Sequence, residues 1–98
     1  MNAAARPELS IVIPAYNEAR RLPESFARLQ AYLLKQPFAY EVLVVDDGST
    51  DTTSAVVKAW MGRWSRLRLL QEPHRGKGAA VRAGVLAARG AWIALADA

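Results

Sequence analysis

"YEVLVVDDGSTDTTSAV", residues 40–56, joins an apolar, β-branched run to two adjacent carboxylates, Asp46 and Asp47. A Gly-Ser-Thr turn follows, and then a third acid, Asp51. A run apolar at successive positions predicts a strand buried on both faces. Neighbouring like charges at its end repel each other and lose hydration. A plain turn is made at lower cost with Asn, Gly or Ser, so these carboxylates point to a ligand. Asp51 is a good N-cap for a helix over about 52–64, on which Val56, Trp60 and Trp64 share one face. That spacing assigns both indoles to the core or to a half-buried face.

The flanking sequence repeats this alternation. Residues 1–8 read as a loose polar tail. "LSIVIP" (9–14) is a buried strand stopped by Pro14. Pro23 suits a helix's first turn, and Leu22, Phe26, Leu29 and Leu33 form an apolar stripe that breaks near Pro37. "LRLLQE" (67–72) is a third strand, "RGKG" opens a helix over roughly 77–89 that closes on Gly90, and "AWIALADA" is a fourth strand. The pattern βαβαβαβ predicts a doubly wound α/β fold with a parallel sheet and right-handed crossovers. Strand order 3-2-1-4 would leave the fourth strand as an apolar edge prone to self-association.

Ninety-eight residues, 52% of them hydrophobic, suffice for one small domain. Residues 1–50 carry five Lys/Arg against six Asp/Glu, whereas residues 51–98 carry eight against three. The basic half has no dense stripe and no aromatic-glycine RNA motif, which argues against a nucleic-acid partner and suits a small phosphate-bearing ligand. With no cysteine there is neither a disulfide framework nor a thiolate metal site, in keeping with a cytoplasmic setting. No apolar run is long enough to span a membrane.

The unusual residues all fall at the carboxyl ends of the strands: "PAYNE", "DDGSTD", "EPHRGKG" and Asp97. Open α/β sheets bind ligands at that edge. The P-loop pattern fails because "GKG" has glycine where a hydroxyl belongs, and the dinucleotide fingerprint fails because Val81 replaces its last glycine. "RGKG" is either an anion site made of free amides and Lys77 or simply a tight turn. Asp97 suits Mg²⁺ or Mn²⁺, hard ions that bridge a carboxylate to a diphosphate. Asp46 or Glu18 suits a nucleobase N–H or a ribose hydroxyl, and Tyr16 offers a ring face for a base or for packing. His74 reads as a solvated loop residue, with no partner to suggest a triad or a zinc site.

Together "LSIVIPAYNE", "EVLVVDDGSTDTT", "RGKGAAVRAG" and "LADA" resemble the start of family-2 glycosyltransferases. These are GT-A-fold enzymes that use nucleotide-diphosphate sugars. The third stretch is most similar to the branch that charges polyprenyl phosphates, such as the dolichyl-phosphate hexosyltransferases. The resemblance implies a partial, Rossmann-like nucleotide-sugar-binding domain over residues 9–98. In it Pro14, Ala15, Tyr16 and Glu18 line the nucleotide pocket, Asp46 contacts the base, and Asp47 shapes the turn or supports the site. It further implies metal-dependent, inverting transfer of a hexose from a UDP- or GDP-sugar to a lipid-phosphate or glycan acceptor, at the cytoplasmic face of a membrane. The family's Asp-x-Asp metal motif is represented only by Asp97, and the catalytic base is expected beyond Ala98, so the chain alone is expected to be inactive. Two alternatives are a non-enzymatic nucleotide- or metal-binding module and a phospho-receiver domain. A receiver needs its acidic pair after strand one, where this chain has "PAYNE".

Overall fold

The computed structural model describes residues 6–98, so residues 1–5 of the expected tail lie outside the described residues. Four strands alternate with three helices: β1 (Leu9–Ala15), α1 (Leu22–Leu33), β2 (Tyr40–Asp47), α2 (Thr53–Met61), β3 (Leu67–Glu72), α3 (Lys77–Ala87) and β4 (Trp92–Leu95). Every strand pair is parallel and the order is β3-β2-β1-β4, as the alternation predicts. β2 is buried along its whole length. Successive side chains on a strand face opposite ways. Val42 and Val44 accordingly join Leu22, Phe26 and Val57 in the core beneath α1 and α2, while Leu43 and Val45 pack with Ala80 of α3.

Three boundaries differ from the sequence reading. α2 stops at Met61, with Gly62 at its C-cap, and Trp64 lies beyond it. That indole is still buried and donates to the Tyr40 hydroxyl at 2.9 Å. Thr52, rather than Asp51, occupies the N-cap of α2 and makes no side-chain bond there. Asp51 caps from one residue further out, its Oδ1 accepting the Thr53 amide at 2.9 Å. The third correction concerns α3, which ends at Ala87 with Ala88 extended, so Gly90 is not a helix-closing residue. Gly90 is small for a different reason: a Cβ there would lie 2.6 Å from the Ser10 nitrogen on β1.

A buried polar cluster at the amino edge of the sheet fixes that approach. Glu41 Oε2 accepts the Ser10 hydroxyl at 2.6 Å and the Arg89 amide at 2.7 Å, and its Oε1 accepts Arg68 at 2.6 Å. The Gly90 amide donates to Ser10 Oγ at 2.8 Å. The chain leaving α3 is thereby tied to β1 and β2, and β4 starts beside β1. Burial alone would raise the Glu41 pKa, but the Ser10, Arg89 and Arg68 donors together hold it below the usual glutamate range.

A carboxylate held low in the fold stabilises it above its unfolded pKa, and that stability is lost as the pH falls through the folded value. Glu41→Gln should therefore cost about 1.5–3 kcal/mol at pH 7. It should also flatten the fall in melting temperature below about pH 4.3, the ordinary glutamate value. Thermal melts of both proteins across that range check this.

Among the described residues β4 pairs with β1 alone, and all four of its residues are exposed, Trp92 at 75%. Unpaired backbone beside apolar side chains invites pairing with another copy. Light scattering over a concentration series should show mass growing with concentration, and Ile93→Lys should shift that growth to higher concentration.

Candidate functional site

The crossover from β1 to β2 runs through α1 on one face of the sheet, while α3 covers the other face and feeds β4 on the far side of β1. Strand order therefore reverses beside β1, and the carboxyl ends of the strands part there to leave a crevice. A cleft of about 470 Å³ opens at that point. Pro14, Ala15, Tyr16, Glu18, Lys77 and Asp97, six of the seven expected site residues, line it. Asp46 does not. Arg21, Asp47, His74 and Gly76 line it as well.

Alternation along β2 separates the two acids. Asp46 has the parity of Val42 and Val44 and turns toward α2, where Oδ1 accepts the Ser49 amide at 3.0 Å and Oδ2 accepts the Ser54 hydroxyl. Asp47 has the parity of Leu43 and Val45 and turns toward α3 and the cleft. Its Oδ1 accepts the Arg75 amide at 2.9 Å, and its Oδ2 accepts the Gly76 amide at 3.1 Å and His74 Nδ1 at 3.0 Å. Burial pushes the Asp47 pKa up, yet the two amides and His74 outweigh it and hold the carboxyl below the usual aspartate range. A carboxylate has about four acceptor positions. Three donors leave Asp47 one more to offer.

Two turns bring the loops to this arrangement. Asn17, at φ 53°, takes a left-handed conformation that Asn tolerates. Its Oδ1 accepts the Thr50 and Asp51 amides at 2.8 and 3.2 Å, and the Glu18 amide donates to Thr53 Oγ1 at 3.0 Å. The "PAYNE" and "DDGSTD" loops are thus one hydrogen-bonded unit. Gly76, at φ 99°, turns the chain into α3 without a side-chain cap. The first-turn amides of α3 have no acceptor within the helix, and Lys77 beside them pairs with Asp97 at 2.9 Å. Both side chains of that pair are more than two-thirds exposed, so it contributes little to stability and separates readily.

His74 departs from its sequence reading. Its ring stacks on Tyr16 with centroids 4.2 Å apart and planes 21° apart, while Nδ1 bonds to Asp47. Its partners lie 27 and 58 positions away in the chain, and no local spacing announces them. Arg21, a further cation at the cleft, carries no motif either.

Residues 10–98 match the family described as Glycosyl transferase family 2. The chain belongs to that family. A dolichyl-phosphate β-glucosyltransferase of Trichomonas vaginalis is 43% identical over 96 residues, covering 92% of this chain and 29% of the relative. The human dolichyl-phosphate β-glucosyltransferase is 41% identical over 99 residues, covering 93% and 31%. In three dimensions the family-2 chain is similar to a mannosyltransferase from Pyrobaculum calidifontis, solved with GDP-Man and Mn²⁺. The TM-score is 0.79 at 30% identity, over 96% of this chain and 28% of that one. The GT-A architecture expected from the motifs is borne out. This family-2 chain spans about three-tenths of the length of the curated relatives it matches, and no helix among the described residues is long and apolar enough to cross a membrane.

Among the described residues no group of three or more His, Cys, Asp or Glu converges on a point that could hold a metal. The cleft offers a divalent ion one exposed carboxylate, Asp97. Mg²⁺ is commonly held by one or two carboxylates together with substrate phosphates. Asp97 therefore fits an ion that arrives with a diphosphate.

Asp47→Asn would set an amide NH₂ among the Arg75 and Gly76 amides and His74. It should speed hydrogen exchange at the Arg75 and Gly76 amides and lower stability by about 1.5–3 kcal/mol. Exchange rates by NMR, together with denaturant melts, measure both effects.

Proposed function

We propose that this chain forms the nucleotide-sugar-binding part of a glycosyltransferase that passes a hexose from a UDP- or GDP-sugar to dolichyl or polyprenyl phosphate. The reaction is metal-dependent and inverting, at the cytoplasmic face of a membrane. One observation carries the reading: a single cleft joins an aromatic ring and a buried carboxylate to a free helix N-terminus with a lysine and an exposed aspartate. Those features are the chemical complement of a base, a diphosphate and its counter-ion.

In this reading the base lies against Tyr16 and gives an N–H to the remaining acceptor position of Asp47. Asp47 takes the role expected of Asp46 because Asp46 faces α2 and braces Ser49 and Ser54 from behind. Pro14, Ala15 and Glu18 form the wall that continues β1, with the Glu18 carboxylate available to ribose hydroxyls. The diphosphate sits at the amino end of α3, where helix amides and Lys77 favour negative charge, and Arg21 adds a second cation. Asp97 releases Lys77 to the phosphates and holds the divalent ion. When bound, that ion neutralises charge on the departing diphosphate. The named activity of the relatives supports dolichyl phosphate as the acceptor in this reading.

Calorimetric titration of the folded chain with UDP and with GDP, with and without Mn²⁺, tests the reading. One of the two should bind weakly without metal and more tightly with it. Asp97→Ala should abolish mainly the metal-dependent gain, whereas Asp47→Ala should weaken binding at every metal concentration by roughly 1.5–3 kcal/mol. Absence of binding by either nucleotide to a folded sample would overturn the proposal, as would equal losses in the two variants at all metal concentrations.

A further inference from the structure

His74 touches both residues to which the proposed function gives the base. Nδ1 lies 3.0 Å from Asp47 Oδ2 and 3.0 Å from the Asp47 carbonyl oxygen. The carbonyl can only accept, and so can the carboxylate, which its donors keep ionised. Nδ1 therefore carries a proton and is the donor to both oxygens. The ring face covers Tyr16 at 4.2 Å. The backbone is fixed too: a Cβ at Gly48, itself at φ 68°, would lie 2.5 Å from the His74 nitrogen, so the loop after β3 rests directly on the turn after β2.

This contact is not core packing. The His74 side chain is 55% exposed and Tyr16 is 42% exposed, so little apolar burial is gained by bringing the rings together. What the stack and the hydrogen bond do achieve is orientation. Tyr16 follows β1 and Asp47 ends β2, and one imidazole from the loop after β3 restrains both at once.

We infer that His74 is a positioning residue for nucleotide recognition: its Nδ1–H aims the Asp47 carboxylate and its ring sets the plane of Tyr16 at the base end of the cleft. The inference rests on the nucleotide reading above. It adds a residue from a third strand-end loop that the family motifs in the sequence do not mark.

The test compares the chain with His74→Ala, which loses both contacts, His74→Asn, which keeps an N–H donor, and His74→Phe, which keeps a ring. Each is titrated with UDP, GDP and inorganic pyrophosphate, which shares the diphosphate and lacks the base. His74→Ala should weaken the preferred nucleotide about tenfold, the scale of one charge-assisted hydrogen bond, and leave pyrophosphate unchanged. Asn or Phe should recover part of the loss. Unchanged nucleotide affinity in His74→Ala would overturn the inference alone, as would an equal loss for pyrophosphate or no recovery in either partial variant. A wild-type chain that binds neither nucleotide would overturn the proposed function and this inference together.

Discussion

A strand presents successive side chains to opposite faces, and that constraint lets β2 end in two adjacent carboxylates without their facing each other. Asp46 is directed to the α2 side and Asp47 to the α3 side. Each then meets donors that replace its lost hydration: a backbone amide and a serine hydroxyl for the first, two amides and an imidazole for the second. The cost of two buried like charges is offset by fixing two loops, one on each side of the sheet. Asp46 holds the turn into α2, and Asp47 holds the loop that leads into α3. The cleft exists because the second loop is held where Tyr16, Lys77 and Gly76 converge.

The opposite edge of the sheet performs the complementary task. Glu41 gathers Ser10, Arg68 and Arg89 into one buried cluster and sets where the chain leaves α3. That exit decides which side of β1 receives β4, and so where Asp97 lies relative to Lys77. Both clusters have the same design, a buried carboxylate satisfied by backbone amides and side-chain donors from other elements. Such groups are stable only when every partner is present. Order at the two ends of the sheet is therefore cooperative with the packing between them.

Membership of a glycosyltransferase family gives this scaffold a chemical context, while the site itself rests on particular contacts. Six of the seven residues expected at the cleft are there because each lies at the carboxyl end of a strand or in the connection that follows it, and strand ends are legible from apolar runs. Asp46 is absent from the cleft because strand parity turns it to the α2 side, which the motif of two neighbouring acids does not express. That parity is itself legible in the sequence, since Leu43 and Val45 share a face with Asp47. His74 had no comparable signal: its partners come from two other strands, and a lone loop histidine looks the same with or without them.

By itself the sequence determined the element order, the parallel sheet, its 3-2-1-4 arrangement and the edge that carries the polar residues. Apolar runs, glycine and proline breaks and the handedness of crossovers are local or topological rules that a linear reading can apply. Only the tertiary structure decided which of the two acids faces the cleft, that His74 joins Asp47 to Tyr16, and that Gly90 serves close packing on Ser10. The ends of α2 and α3 also belong to that second group, since Trp64 and Arg89 leave the helix for partners on β2. Those outcomes depend on distances of a few ångströms between segments 24 to 80 positions apart, which the chain acquires only when the sheet brings them together.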